Sequence, residues 1–427
     1  MNAVATSQPV GVVLCRACAR RNGLAEQDVA DALRAMDQAV AVFLCEDLCR
    51  KPAVLPSALR GKGLARLVVG ACADGEIVAE IRQAAADAGI DPFSVEVVDL
   101  GLGVLPRKDT GELSPQRAVA QLAARVERAR AYEGVPVENL SLALPGMDEP
   151  MSRRGLFGLL RPRHQVVPAV DADACWGPDR CLLCVSSCPF DAISVSGARV
   201  AIDTFRCTGC GACLPACPAS AIRYPTCTPA QIAAEVRGLL AVARRYGAES
   251  LGGLPVLLYG CRCAGRMPLP PGYLLVEVPC LAMLPADLLL LPFEEGAAGV
   301  LLAAGACPRE GAAAAWAGRV AYAQVVLEAF GLSRLSGMGV WRRQAGEGPT
   351  PALHRFQKAL EALGPPRRAG RAPALRGLTG GSPSVEGEAR DSGLPGLLGR
   401  WDRRSRATPR RLASDASPLG LVTVDRQ

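Results

Sequence analysis

The chain contains 2 histidines in 427 residues. That leaves little room for a His-rich zinc or copper site, or for a Ser-His-Asp hydrolytic centre. Aromatic residues are 4% of the total while hydrophobic residues are 50%, so helices and strands must pack on Ala, Val and Leu. No run of 18 apolar residues is free of charge or proline. The nearest, residues 281–293, is broken by Pro285, Asp287 and Pro292, so no membrane span is expected. The opening MNAVATSQPV has no basic segment followed by an apolar one, and the expectation is a cytoplasmic chain without a secretory leader. No G-x-G-x-x-G run follows a strand pattern, and residues 100–170 are too short for a flavin fold. Neither FAD nor NAD is expected on this chain.

What the chain has instead is cysteine, 18 residues in all. In a cytosolic protein such thiols are usually metal ligands or redox groups rather than disulfides. The net charge of +7 is confined to one end. Residues 343–427 hold 15 Lys+Arg and 8 Asp+Glu, leaving 33 of each in the rest. This Pro-, Gly-, Ser- and Arg-rich stretch has no sustained apolar period, so it reads as a solvated, disordered tail. It has no aromatic interleaving, and no nucleic-acid partner is expected. The length implies two to four folded units.

Strand and helix patterns alternate over residues 10–100: VGVVLC, AVAVFLC, RLVVGAC and SVEVVDL read as strands, with helices between them. Such alternation predicts a small parallel α/β domain. Three of these strands end at Cys15, Cys45 and Cys72, and side chains at the carboxyl ends of such strands converge. A second α/β unit follows Thr228-Pro229, with VLLYGC, YLLVEVPC and GVLLAAGAC as strands that also run into cysteines. SRRGLFGLL at 152–160 imitates a twin-arginine export signal, but it lies deep in the chain and is discounted.

Between the two units, Cys207-x2-Cys210-x2-Cys213-x3-Cys217-Pro218 is the bacterial ferredoxin run. In it three cysteines bind one 4Fe–4S cube and the fourth reaches the other. Twenty-nine residues earlier Cys181, Cys184, Cys188-Pro189 and Ile193 repeat Cys210, Cys213, Cys217-Pro218 and Ile222. A zinc ribbon would use two separated pairs instead. The repeat departs at Pro178, which stands where Cys207 should and cannot ligate. With Cys175 reaching in, the first cube takes Cys175, Cys181, Cys184 and Cys217, and the second Cys188, Cys207, Cys210 and Cys213. Without it, the first site holds a three-iron cluster or an unusual ligand. The expected fold class is therefore α/β: two small parallel α/β domains flank a ferredoxin-like (α+β) dicluster domain, with a disordered C-terminal tail. The expected boundaries are 1–105, a helix and linker over 106–170, the dicluster domain over 171–227, a second α/β domain over 228–340, and the tail over 341–427.

Cys261, Cys263, Cys280 and Cys307 each lie at a strand end of the second α/β unit. Their chemistry alone leaves an iron–sulfur centre, zinc and buried free thiols open. VLLYGCRC, VEVPC and LPFEEGAAGVLLAAGACP, over about 250–335, resemble the delta subunit of methyl-viologen-reducing hydrogenase. The resemblance implies passage of electrons from a hydrogenase to heterodisulfide reductase, through a 2Fe–2S cluster on those four cysteines. The chain has Cys261-Arg262-Cys263 where the family has CxxC, and it lacks the family's cysteine just after the Cys-Pro strand end. RLVVGAC with AGIDPFSVEVVDLG, and Cys49 ahead of Pro52, resemble the N-terminal domain of the FAD-carrying subunit of heterodisulfide reductase. That resemblance implies a third 4Fe–4S cluster on Cys15, Cys18, Cys49 and Cys72, with Cys45 as a substitute. Four sites then use 16 cysteines and leave Cys45 and Cys227.

The expected function is an iron–sulfur electron-transfer subunit without a substrate site or catalytic residue of its own. It would link a hydrogenase or dehydrogenase catalytic subunit to a heterodisulfide reductase-like or flavoprotein subunit. The alternatives are a cluster-based reductase of disulfides or sulfur compounds, and a redox sensor reporting through the basic tail.

Overall fold

The computed structural model describes residues 9–72, 75–100, 115–136, 139–143, 163–265, 269–305, 310–329, 337–342 and 349–362. In the first unit, β1 (Val10–Cys15), β2 (Ala41–Cys45), β3 (Arg66–Ala71) and β4 (Val95–Asp99) form one parallel sheet in the order β2-β1-β3-β4. Helices α1 (Arg16–Arg21), α2 (Glu26–Met36), α3 (Leu55–Leu59) and α4 (Gly75–Asp87) connect and cover it. Val12, Val13, Leu67, Val68 and Val69 are wholly buried. Strands covered on both faces read as unbroken apolar runs, which is why these segments were legible.

The central unit contains β5 (Leu140–Ala143) paired with β6 (Arg163–Val166), then β7 (Ala169–Val170), α6 (Leu183–Ser186), β8 (Ile193–Ser196), β9 (Arg199–Ile202), α7 (Cys213–Ala216) and β10 (Ile222–Arg223). Helix α5 (Pro115–Arg130) precedes β5. β8 pairs antiparallel with β9 and β7 with β10, two small hairpin-like ladders about one core. That core is Cys184, Ile193, Val200, Cys213 and Ile222, so both copies of the repeated isoleucine are inside.

The last unit opens with α8 (Pro229–Tyr246). Thr228 accepts a hydrogen bond from the Gln231 amide and Gln231 returns one, a full capping box. β11 (Val256–Cys261), β12 (Tyr273–Val278), β13 (Gly299–Ala304) and β14 (Gly337–Arg342) form a parallel sheet in the order β12-β11-β13-β14. Helices α9 (Ala286–Glu294) and α10 (Glu310–Ala329) lie between its strands, and α11 (Pro349–Ala362) follows. Both α/β units share one winding: the first strand is internal, the second is an edge, and the third and fourth extend the other side.

The folded part runs past the expected boundary at 340. α11 lays Leu353, Phe356 and Leu360 on the sheet over three strand glycines. A Cβ on Gly299 would lie 2.5 Å from Leu360 Cδ1, and one on Gly339 2.8 Å from Phe356 Cε2. The i, i+3, i+7 spacing of those residues is helical but sits among Pro and Arg, which hid it. Residues 363–427, the remainder of the expected tail, lie outside the described residues, as does 152–160. No described helix is long and apolar enough to cross a membrane.

The segment expected to be a helix and linker contains the hub of the molecule. α5 packs against the first sheet on one side and against α8 on the other, and Arg117, Gln121, Arg125 and Arg128 on it are buried. Arg128 donates from Nη1 to Glu235 Oε2 (2.7 Å), from Nε to Glu96 Oε1 (3.0 Å), and from Nη2 to the Thr226 carbonyl (3.1 Å). Arg125 donates to Glu96 Oε2 at 3.0 Å and to Glu277 Oε2 at 3.3 Å. Residues of β4, α8, β12 and the exit of the central unit thus meet at two guanidiniums of α5. Burial pushes the Glu96 carboxyl up, but Arg128, Arg125 and Arg82 outweigh it and hold it below the ordinary range. At Glu235 burial prevails over Arg125 and Arg128, and the carboxyl sits high.

The α5–α8 crossing depends on a glycine. A Cβ on Gly238 would stand 2.8 Å from Ala124 Cα, a backbone atom that cannot rotate away. Gly238→Ala gains about 1 kcal/mol of helix propensity, but separating two packed helices costs about 1–3 kcal/mol. The expected result is a lower thermal midpoint. An unchanged or raised midpoint would show that the crossing is loose.

Candidate metal centres

The two halves of the central unit place their cysteines by the same local chemistry. Asp171 Oδ1 accepts from the amides of Asp173 and Ala174, and the Cys175 amide donates to the Asp171 carbonyl (3.0 Å). In the other half Asp203 Oδ1 accepts from Phe205 and Arg206, and the Cys207 amide donates to the Asp203 carbonyl (2.9 Å). Cys175 therefore occupies the structural place of Cys207, and three extra residues before Cys181 are accommodated in the loop. The signal was present in the sequence as Asp-x3-Cys in both DADAC and DTFRC. The cysteine spacing alone did not reveal it.

The rest of the two-fold relation is as regular. The Ala192 amide donates to Cys188 Sγ (3.4 Å), and the Ala221 amide to Cys217 Sγ (3.2 Å). Asp191 and Ser220, 29 residues apart, both have left-handed backbones at φ 49° and 51°. Asp203 N bonds to the Ala192 carbonyl and Asp171 N to the Ala221 carbonyl, so each half closes onto the other.

Two cavities result. One is lined by Cys175, Cys181, Cys184 and Cys217. The other is lined by Cys188, Cys207, Cys210 and Cys213. Burial pushes the Cys184, Cys207 and Cys213 thiols up, so as plain thiols they would stay protonated. An iron core that replaces the protons removes that cost. Four thiols around an open cavity, with main-chain amides aimed at sulfur, fit a 4Fe–4S cube at each position.

In the first α/β unit the structure brings Cys15, Cys18, Cys49 and Cys72 together at the carboxyl ends of β1 and β3. Cys18 Sγ lies 3.0 Å from Cys72 Sγ and 3.2 Å from Cys49 Sγ, and Cys15 Sγ lies 3.8 Å from Cys49 Sγ. A hydrogen bond from Cys18 pushes the Cys15 thiol down to about 5, and Cys18 rises in return. Cys45 is buried and stands beside Cys15 in the β1–β2 register, but it is not in the group whose sulfurs touch. A third cube is the expectation here, and the three separations are shorter than those a cube imposes. A cube bonds each thiolate to a different iron and holds the sulfurs apart by its own width.

In the last unit Cys261 closes β11, Cys263 lies in the turn after it, and Cys280 follows β12, all at one end of the sheet. Cys307 lies outside the described residues. Gly305, two residues before it, rests on the main chain of Cys263, where a Cβ would meet the carbonyl oxygen at 1.6 Å. Burial lowers the Arg319 guanidinium to about 10 while Cys280 opposes the shift, so a cation stands beside that thiol. Cys227 is buried in the α5–α8 junction, where Arg128 Nη2 donates to its sulfur at 3.5 Å. It lines neither cavity.

The end of the sheet touches the second cavity. Gly211 (φ +69°) lies between Cys210 and Cys213, and a Cβ there would be 2.8 Å from Met283 Cβ. Met283 belongs to the turn immediately after Cys280. Burial pushes Tyr224 up to about 12; Arg262 opposes this, and Cys227, Cys207 and Cys210 add to it. That tyrosine stands between the cavity and the Cys261–Cys263 loop.

Residues 168–218 match the family model described as a 4Fe-4S dicluster domain. A ferredoxin of Methanothermococcus thermolithotrophicus is 37% identical over 54 residues, 12% of this chain and 88% of that protein. Through this segment the chain belongs to the ferredoxin family. A ferredoxin of Saccharopolyspora erythraea is 41% identical over 51 residues, and there the chain spans 48% of its relative. Residues 259–364 match the family described as methyl-viologen-reducing hydrogenase, delta subunit. That range takes in β14 and α11. Together the two matches give the chain an iron–sulfur electron-transfer role.

Proposed function

We propose that the chain is the electron-transfer subunit of an oxidoreductase complex. It would relay electrons through two 4Fe–4S cubes and a 2Fe–2S centre on Cys261, Cys263, Cys280 and Cys307. The cubes are assigned to Cys175, Cys181, Cys184 and Cys217, and to Cys188, Cys207, Cys210 and Cys213. The observation that carries this reading is the contact of Gly211 with Met283. It sets the loop of Cys210 and Cys213 against the turn that follows Cys280, so the ferredoxin segment and the sheet-end thiols form one path. The first cavity lies at the other end of that path beside exposed Trp176, Leu182 and Leu183, where a partner's redox centre can approach. The arginine–glutamate junction on α5 fixes the units relative to one another, as a relay requires.

The partners in this reading are a hydrogenase or dehydrogenase subunit on one side and a heterodisulfide reductase-like or flavin subunit on the other. The heterodisulfide reductase side rests on the likeness of the RLVVGAC unit to the N-terminal domain of that enzyme's FAD-carrying subunit. A sulfur-compound reductase would need an open iron, and Cys175 in the first cavity weakens that alternative. Anaerobic affinity purification from native cells is expected to retain a nickel- or flavin-containing oxidoreductase subunit. Reduced methyl viologen should then reduce that subunit's acceptor only when this chain is present. Recovery of the chain alone, with transfer unaffected by its removal, contradicts the reading.

Gly305→Ala tests the sheet-end centre. The new Cβ must displace the Cys263 main chain, so the variant is expected to lose about two irons while the eight of the cubes remain. Full iron content in the variant would remove Cys263 from the centre.

A further inference from the structure

We propose that Cys15, Cys18, Cys49 and Cys72 hold a single zinc ion in place of a third cube. A zinc ion bonded to thiolates at about 2.3 Å in a tetrahedron sets its sulfurs about 3.8 Å apart. The Cys15–Cys49 separation of 3.8 Å has that value, and the 3.2 and 3.0 Å from Cys18 to Cys49 and Cys72 are shorter; Cys15, Cys18 and Cys49 already form the close group, and Cys72, joined to it through Cys18, closes in as the fourth ligand. The chain supplies its own comparison. Each of its two ferredoxin sites lines a separate pocket with four thiols, and no three of those thiols close to within 4.8 Å of one another. Among the described residues only Cys15, Cys18 and Cys49 form a thiol triad mutually within 4.8 Å. One polypeptide therefore contains two kinds of four-cysteine site, an open kind shaped for a cube and a closed kind shaped for one ion.

The surroundings agree. Cys15 and Cys18 are buried and Cys49 and Cys72 half-buried, so the four ligands close the site as a structural tetrathiolate does. Tetrahedral all-sulfur sets select zinc or iron–sulfur clusters, and the spacing excludes the cube. The Cys15-x2-Cys18 pair could instead be a redox dithiol, but Cys15 has no exposed surface from which to attack a substrate. Four thiolates around a divalent ion leave two negative charges. Arg21 Nη1 stands 3.9 Å from Cys72 Sγ to offset them. The ion would pin the β1–α1 junction, the turn after β2 and the end of β3, three segments far apart in sequence. The first α/β unit then becomes a scaffold, and the relay has three centres.

The test is metal analysis of the full chain purified anaerobically, with zinc-edge X-ray absorption on the same sample. About one zinc per chain with four sulfur neighbours at about 2.3 Å is expected. Cys49→Ser should lose the zinc and keep the iron content and cube EPR signals of the wild type. The absorption measurement needs no variant, so a poorly folding Cys49→Ser does not remove the test. A third cube, a mononuclear iron or a metal-free site each overturns the proposal. None of these outcomes touches the iron at 175–217, so the relay stands or falls separately.

Discussion

Cys213→Ser is expected to cost the chain about four irons and four sulfides, with the EPR signal of one cube. Cys213 begins α7, lines the second cavity, and belongs to the small core with Ile193, Val200 and Ile222. That core has five buried residues, two of them cysteines, and the unit's Cys210, Ala212 and Tyr224 join the core of the last unit instead, so the unit has little core of its own. Bound iron therefore supplies folding energy here as well as a redox centre. The first cube should persist in the variant, because its four thiols are a separate set, but the unit around it should become more sensitive to protease. Cys227→Ser is the control. Cys227 lines neither cavity, and its substitution should leave iron and sulfide unchanged. Full iron in Cys213→Ser, or equal loss in both variants, would show the ligand assignment to be wrong.

Arg128→Ala is expected to destabilise the molecule by about 3–5 kcal/mol. The residue is 5% exposed and donates to Glu235, Glu96 and a main-chain carbonyl, and Glu235 is wholly buried. Removing the guanidinium leaves a buried carboxylate with half its partners. Replacing both members with apolar residues of similar size, as in Arg128→Met with Glu235→Met, should recover most of the loss, because burying the pair is itself costly. Unfolding of an iron–sulfur protein is irreversible once clusters are lost, so the readout is the rate of absorbance bleaching at fixed temperature. Faster bleaching in the single variant than in the double is the expected order. If both bleach at the wild-type rate, the junction does not hold the units together.

The strands were legible because their residues lie between two covering layers, as in VGVVLC and VLLYGC. The cubes were legible because their ligands are local: eleven residues contain four of them. Helix α5 is legible as a helix but not as a hub. Its Arg117, Gln121, Arg125 and Arg128 look like a solvent-facing stripe, and only partners far away in sequence make them interior: Glu96, Glu235 and Glu277 for Arg125 and Arg128, and the Tyr273 carbonyl for Arg117. α11 was missed because it depends on glycines of β13 and β14 to receive it. Cysteine identity at 15, 18, 49 and 72 pointed to a metal, and the structure gathers those four. The sequence could not reveal the number of metal atoms, because that depends on how far apart the sulfurs stand. Cys175 lay between the two cases. Its equivalence to Cys207 was written in the aspartate four residues ahead of each, a signal weaker than the cysteine spacing that masked it.

The most direct test of the relay is iron and acid-labile sulfide per chain after anaerobic purification, with EPR of the dithionite-reduced protein. The account predicts about ten irons and ten sulfides, with signals from two 4Fe–4S cubes and one 2Fe–2S centre. About four irons or fewer, or iron without sulfide, would contradict it.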